Sequence, residues 1–69
     1  MTLEDYRGQL GWSRAELARR ANLDNNTVAK AERGEEITGR TARALAAAIS
    51  KELGQTVRFT QIEGLNVKV

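Results

Sequence analysis

The chain has 69 residues, of which eleven are basic and nine acidic, and its formal net charge is +2. This length predicts one small domain, near the lower size at which a single hydrophobic core is stable. Cysteine and histidine are both absent, which excludes disulfide cross-links and the common zinc sites. The sequence has no secretory signal pattern and no apolar run near the roughly 20 residues that span a membrane. Composition therefore favours a cytoplasmic domain without metal or cofactor.

Catalytic groups are scarce. Without histidine or cysteine the common general bases and nucleophiles are missing, and no G-x-x-x-x-G-K phosphate-binding loop is present. So short a chain also has little room to enclose a substrate or a small-molecule effector. The sequence therefore predicts no enzyme and no effector pocket. The start at Met1 fits a complete protein, and a fragment of a longer chain would fit as well.

The basic residues are concentrated in one part of the chain. Seven of the eleven fall between Ser13 and Arg43, together with five acidic residues. This distribution suits a nucleic-acid-binding surface if the bases share one face. A mixed, solvated surface accounts for the charges equally well.

The N-terminal region predicts a short bracing helix. Thr2 and Asp5 have the spacing of a capping box, and Gly11 is a natural helix stop. Apolar residues recur between them at helical spacing: Leu3, Tyr6 and Leu10.

A second helix is predicted at about residues 14–21. Ser13 and Glu16 form an S-x-x-E capping box, and Trp12 and Leu17 are spaced as a hydrophobic staple across the helix start. The single tryptophan could instead stack on a nucleic-acid base, but the staple already accounts for its position.

A tight turn separates this helix from a third, predicted at about residues 25–32. Asn22 tolerates the left-handed conformation that ends a helix, Leu23 fills the gap between the helices, and Asp24 caps the third helix. Gly34 follows its end. The inward positions of the two helices are apolar and often small: Leu17, Ala18, Ala21, Val28 and Ala31.

The outer face of the third helix is the main functional signal. Its residues are polar or cationic, apart from one alanine: Asn25, Asn26, Thr27, Ala29, Lys30 and Arg33. Asparagine pairs with adenine, threonine meets a thymine methyl group, and lysine reaches guanine or phosphate. An ordinary exposed helix is the alternative, but such helices usually carry Glu–Lys pairs. The pattern therefore favours contact of this face with the bases of DNA.

Two short helices joined by a turn of about three to four residues describe a helix-turn-helix. Residues 11–34 read GWSRAELARRANLDNNTVAKAERG. This segment resembles the Cro/repressor-type (lambda-repressor-like, Xre-type) helix-turn-helix family, and the resemblance extends over about residues 3–53. It rests on these positions: Leu17-Ala18, Ala21, Asn22-Leu23, Val28 and Glu32-Arg33-Gly34. Asn22 departs from the glycine that the family usually has.

The resemblance implies roles for individual residues. Arg14 would contact phosphate, Glu32 would support neighbouring helices, and Arg33 would lie beyond the base-reading face. The DNA base contacts in the major groove would be made by Asn25, Asn26, Thr27 and Lys30. A fourth helix capped by Thr38 would supply further phosphate contacts through Thr38, Arg40, Thr41 and Arg43. A cationic first turn opposes the helix dipole, which makes sense if phosphate lies nearby. The acidic pair Glu35-Glu36 argues against the preceding loop lying on phosphate.

The fourth helix should be the main core element. Its apolar stripe is the clearest in the chain, and Gly54 ends it: Ala42, Leu45, Ala46, Ile49 and Leu53.

The tail, residues 55–69, predicts two short strands, one with Val57 and Phe59 and one with Leu65, Val67 and Val69. Thr60 and Glu63 predict a helical turn between them, ended by Gly64. The tail either folds back to complete the core or pairs with its copy in a second protomer.

Together these features predict a mainly α fold, a compact four- to five-helix lambda-repressor-like domain with a short C-terminal β-like tail. Residues 1–54 would form the DNA-binding domain, and residues 55–69 would complete the core or form a homodimer. The predicted function is that of a bacterial or phage DNA-binding regulator, most simply a repressor. An antitoxin-like or adaptor module that binds a protein partner is the alternative.

Overall fold

The computed structural model describes residues 1–68. Within them lie four α-helices, one 3₁₀ turn and a two-stranded sheet. In chain order the elements are α1 (Leu3–Leu10), α2 (Arg14–Ala21), α3 (Asn25–Glu32), β1 (Glu36–Ile37), α4 (Gly39–Leu53), the 3₁₀ turn (Phe59–Gln61) and β2 (Asn66–Val67). The predicted mainly α fold is confirmed. No helix within residues 1–68 is both long and apolar enough to cross a membrane.

Helix α1 begins with the predicted capping box. The Asp5 backbone N–H donates to Thr2 Oγ1 at 3.1 Å, and the Thr2 N–H donates to Asp5 Oδ2 at 2.9 Å. Gly11 ends the helix in the left-handed conformation, at φ 72°. Short-range side-chain chemistry therefore fixes both ends of the bracing helix.

The capping box predicted for α2 forms only in part. The Glu16 N–H donates to Ser13 Oγ at 3.1 Å, as expected. The Glu16 carboxylate does not return to the Ser13 backbone, because it accepts hydrogen bonds from Arg19 at 2.6 Å and Arg20 at 2.7 Å instead. Charge-assisted bonds of this kind outcompete a bond to a neutral amide.

The turn between α2 and α3 has the predicted geometry at Asn22, whose φ is 59°. Asp24 stands at the start of α3, but its side chain makes no capping hydrogen bond. The prediction that Asp24 caps α3 is therefore wrong in its chemistry, although its position is right. At the start of α4 the Thr41 N–H does donate to Thr38 Oγ1, at 3.2 Å.

The core lies where the four helices meet. Helix α4 contributes the predicted stripe, in which Ala42, Leu45, Ala46 and Ile49 are buried and Leu53 is partly buried. The remaining buried apolar residues come from the other elements and the tail: Leu3, Trp12, Leu17, Ala18, Ala21, Val28, Ala31, Ile37, Ala48, Val57 and Ile62.

The first half of the tail differs from the prediction. Val57 and Phe59 do not form a strand, because Phe59 opens the 3₁₀ turn and Val57 is buried in an irregular segment. The Ser50 hydroxyl fixes that segment to α4, accepting from the Val57 N–H at 2.8 Å. A side-chain anchor on α4 thus takes the place of a strand partner.

The predicted helical turn begins at a different residue. Thr60 lies inside the 3₁₀ turn and does not cap it; the Arg58 N–H donates to the Gln61 side chain at 2.8 Å. Glu63 is engaged elsewhere, because its carboxylate accepts a hydrogen bond from the Met1 ammonium group at 2.8 Å. The N-terminus of the chain therefore lies beside the segment between the 3₁₀ turn and β2.

The second half of the tail forms a strand within the same chain. Strand β2 pairs in parallel with β1, with Glu36 opposite Asn66 and Ile37 opposite Val67. The Lys68 N–H continues the pairing by donating to Ile37 O at 2.8 Å. Val69, included in the predicted strand, lies outside the described residues.

Candidate nucleic-acid interface

Helix α3 exposes the face that the sequence pattern singled out. Asn25, Asn26 and Lys30 are exposed and Thr27 is partly exposed. The opposite face is packed into the core, where Val28 is fully buried. The four predicted base-contact residues therefore lie on the outer surface of one short helix, and two grooves run along its flanks.

The first flank, which we call the α2-side groove, lies between α3 and the start of α2. Its lining residues are polar or charged, with one alanine: Arg14, Asp24, Asn25, Asn26, Ala29 and Arg33. Arg14, the predicted phosphate contact, thus shares a groove with two of the predicted base-contact residues. Arg33 lines it as well, but its Nε donates to Glu35 Oε2 at 2.7 Å.

The second flank, the α4-side groove, lies between α3, the start of α4 and the C-terminal strand. Its lining residues are Thr27, Lys30, Glu36, Ile37, Thr38, Thr41 and Lys68. Thr38 and Thr41, two predicted phosphate contacts, thus lie beside the other two predicted base-contact residues. Lys68 was not anticipated from the sequence, because its position depends on the pairing of β2 with β1.

The other two predicted phosphate contacts are placed apart from α3. Arg40 is exposed on the first turn of α4 but lines neither flanking groove. Arg43 lines a third, largely apolar groove between α4 and the tail, which we call the α4–tail groove. Its lining residues are Arg43, Ala46, Ala47, Ser50, Thr56, Val57, Arg58, Phe59 and Thr60.

Glu32 joins three helices through its carboxylate. Only 5% of its side chain is exposed, and it accepts hydrogen bonds from Arg7 Nε at 2.6 Å and from Arg14 Nε at 3.0 Å. Burial alone would raise the pKa of Glu32, but the hydrogen bonds and charges of the two arginines outweigh it and lower the pKa below its ordinary value. Glu32 is structural, as the resemblance implied.

Arg7 is the residue in this ion-pair cluster that sequence reasoning missed. Its guanidinium also donates to Trp12 O at 3.1 Å, so it links α1 to α3 and to the start of α2. The available signal was Glu32 itself, because a carboxylate four residues after the buried Val28 falls on the inward face of α3 and needs a cationic partner.

Trp12 does not offer a platform for a nucleic-acid base. It is 9% exposed, and the Arg20 guanidinium carbon lies 5.0 Å from the centroid of its ring. The indole is therefore occupied by core contacts on one side and by a cation–π contact on the other.

Comparison with known families identifies the segment that carries these features. A family model described as helix-turn-helix matches residues 3–55, which span α1 to α4. Comparisons with curated proteins and with solved structures gave no significant match. The predicted family is confirmed, because the match covers most of the chain and includes the two helices and the turn described above. The chain therefore belongs to the Xre/lambda-repressor-like helix-turn-helix family of DNA-binding transcription regulators.

Proposed function

We propose that the protein is a sequence-specific repressor that reads the major groove of double-stranded DNA with α3. One observation carries the proposal. The only acidic residue of α3 is Glu32, and its carboxylate is buried and paired with Arg7 and Arg14. Within Asn25–Glu32 the outer face therefore presents amides, a hydroxyl and an ammonium group. The Asp24 carboxylate lies just before the helix, in the α2-side groove with Arg14 and Arg33. A surface of this kind represses most simply by occupying DNA that another protein needs.

The proposed base contacts follow from the side-chain chemistry on that face. Asn25 and Asn26 can each offer an adenine a paired donor and acceptor, and Lys30 can donate to the O6 and N7 atoms of guanine. Thr27 can place its methyl group against that of a thymine. All four side chains lie within about two turns of helix, a length that enters the major groove.

The proposed phosphate contacts are Arg14, Thr38, Arg40 and Thr41. Arg43, the fifth residue implied by the resemblance, lines the α4–tail groove and is left out of this set. The Arg14 guanidinium is held in position by an ion pair. One N–H of its guanidinium is held by Glu32, while 48% of its side chain remains exposed beside Asn25 and Asn26. A guanidinium fixed at one edge loses less side-chain entropy when its other edge binds phosphate.

Single substitutions separate base reading from phosphate binding. A preferred site is first selected from a random-sequence DNA library, and dissociation constants are then measured for that site and for its single-base variants. Asn26→Ala and Lys30→Ala should each cost about 1–3 kcal/mol and relax the preference at one base pair. Arg40→Ala should weaken binding to all sequences about equally and flatten the salt dependence by about one charge.

The matched control is Lys51→Ala, which removes an exposed lysine from the far end of α4. It should leave sequence preference and affinity unchanged. Unaltered binding by the combined Asn26→Ala and Lys30→Ala variant would show that α3 does not read the bases.

We also propose that the protein binds DNA as a homodimer through its C-terminal region, residues 55–69. The α4–tail groove supports this, because Phe59 is only partly buried there and Ala47 is exposed. Covering that apolar surface with a second copy would stabilise a dimer by removing it from water. A twofold dimer would place two α3 helices on a palindromic site.

An alanine-to-glutamate substitution tests the dimer without disturbing the fold. Ala47→Glu keeps a strong helix former at an exposed position and places a charge in the groove. Gln9→Glu on α1 is the control, since it makes the same change in charge at an exposed site elsewhere. Sedimentation should show a dimer for the control and a monomer for Ala47→Glu; a monomer in every variant, including the parent, would rule the dimer out.

The alternative of an adaptor module relied on an apolar tail that is free to bind a partner protein. The two most buried apolar residues of the tail, Val57 and Ile62, are only 7% and 3% exposed. These two side chains are thus already used within the chain, and the α4–tail groove is the apolar surface left for a partner. The polar and cationic outer face of α3 favours DNA binding over the adaptor. Absence of salt-sensitive binding to any DNA would reopen that alternative.

A further inference from the structure

We infer that Lys68 contacts a DNA phosphate, so that the C-terminal strand is part of the DNA interface. The inference rests on the proposed function and extends it beyond the matched helix-turn-helix segment, which ends at residue 55. It starts from the α4-side groove, where Lys68 lies with Lys30, Thr38 and Thr41.

The backbone of this residue is fixed by the fold. The Lys68 N–H donates to Ile37 O at 2.8 Å, directly after the paired residues of β1 and β2. The Asn66 side chain adds a hydrogen bond of 3.4 Å to Gly34 O, in the loop that follows α3. These contacts attach the strand to the segment between α3 and α4, so a residue more than thirty positions away in sequence reaches the side of the recognition helix.

The two flanks of α3 require cations for the same reason. A helix in the major groove lies between two phosphate backbones, and its affinity comes largely from neutralising them. Arg14 provides a cation on the α2 side. On the α4 side, the Thr38 hydroxyl already donates to Thr41 Oγ1 at 3.1 Å, which leaves the Thr41 hydroxyl as a donor without charge. Lys30 is assigned to the bases.

Glu36 makes the contribution of Lys68 more important. This carboxylate lines the same groove and is exposed, so it would repel a phosphate placed there. In the paired strands Glu36 lies opposite Asn66, and Lys68 follows Asn66 by two residues. The Lys68 ammonium group offsets the negative charge of Glu36, so the groove as a whole can accept a phosphate.

The test compares Lys68→Ala with Lys51→Ala, which removes the same charge from an exposed position on α4. Dissociation constants for the selected DNA site are measured over a range of salt concentrations. Lys68→Ala should weaken binding roughly three- to tenfold at low salt and reduce the slope of log K against log salt by about 0.9. Lys51→Ala should change neither quantity, and Lys68→Arg should retain most of the affinity because it keeps the charge.

Thermal unfolding and sedimentation are measured for each variant beside the binding curves. Equal binding by Lys68→Ala and Lys51→Ala, while Arg14→Ala binds weakly, would overturn the inference and leave the proposed function intact. Weaker binding by Lys68→Ala that comes with a lower melting temperature or an altered sedimentation coefficient would also overturn it, because Lys68 would then act on folding or assembly. Absence of salt-sensitive DNA binding by the parent protein would instead reject the proposed function.

Discussion

The two flanks of helix α3 are held in place by different interactions. On the α2 side, Arg14 is positioned by an ion pair with Glu32, within a segment that is continuous in sequence. On the α4 side, the groove is lined by β1 and by Lys68, the residue after β2. Strands β1 and β2 are about thirty residues apart in sequence and are joined by backbone hydrogen bonds. One flank therefore depends on side-chain charge and the other on the folding of the tail.

This difference indicates how each flank can be perturbed separately. Protonation or substitution of Glu32 acts on the α2 side, since backbone hydrogen bonds between strands do not titrate. Changes in the tail act on the α4 side and on the core beneath it.

Deletion of the tail after Gly54 should unfold the protein. Val57 and Ile62 are buried in the shared core, and burying two such side chains contributes roughly 3–6 kcal/mol. A domain of this size has a total stability of roughly 3–10 kcal/mol, so the loss is comparable to the whole. Circular dichroism during heating should show no cooperative transition. A transition with an unchanged midpoint would show that the tail is not needed for the core.

The truncated chain consequently cannot report on dimerisation. A change in its sedimentation would reflect unfolding as much as a lost interface. A single surface substitution such as Ala47→Glu isolates the interface, because it leaves Val57 and Ile62 in place. The core-completing role and the proposed dimer contact of the tail can thus be measured independently.

Glu32→Gln should have the next largest effect. The substitution preserves shape but leaves the guanidinium of Arg7, whose side chain is only 17% exposed, without its counter-charge. Stability should fall by about 2 kcal/mol, measured by urea unfolding at neutral pH. Glu52→Gln is the control: it breaks an exposed ion pair with Arg20 and should cost at most about 0.5 kcal/mol. Equal losses in the two variants would contradict a structural role for the buried pair.

The contribution of Glu32 should also depend on pH. Because the folded state lowers its pKa, the ion pairs stabilise the fold fully above the unfolded pKa, for which the ordinary value is 4.5. That stabilisation is lost as the pH falls through the lower folded pKa. The stability difference between the parent protein and Glu32→Gln should be constant above about pH 5 and should shrink in more acidic solution. A difference that does not change with pH would show that the Glu32 charge is not the source of the effect.

Sequence signals were sufficient where structure is determined by neighbouring residues. The bounds of α2 and α3 follow from Ser13, Asn22 and the spacing of small and apolar residues, all within one short segment. The chemistry at the helix starts was less predictable. Glu16 had two possible partners, and the nearby arginines prevailed over the backbone amide.

Features that depend on distant parts of the chain were beyond sequence reasoning. Alternating apolar residues correctly indicated that the tail is not free, but they could not identify the partner of its strand. Phe59 follows the strand pattern yet lies in a 3₁₀ turn, because Ser50 and Gln61 satisfy the backbone around it. The position of Lys68 beside Lys30 follows only from the pairing of β2 with β1.

Substitution of Asn22 should have the smallest effect on stability. It tests the turn between α2 and α3, which sets the geometry of the α2-side groove. Its backbone is left-handed, at φ 59°, and its side chain is exposed, so a substitution there changes conformational energy with little effect on packing. Asn22→Ala should cost about 1 kcal/mol, because alanine lacks asparagine's tolerance for this conformation. Asn22→Gly should remain within about 0.5 kcal/mol of the parent, since relief of strain offsets the added freedom of the unfolded chain. Urea unfolding measures both variants. Equal stability of the alanine and glycine variants would contradict a left-handed backbone at Asn22. It would also contradict the angle between α2 and α3 that places Arg14 beside α3.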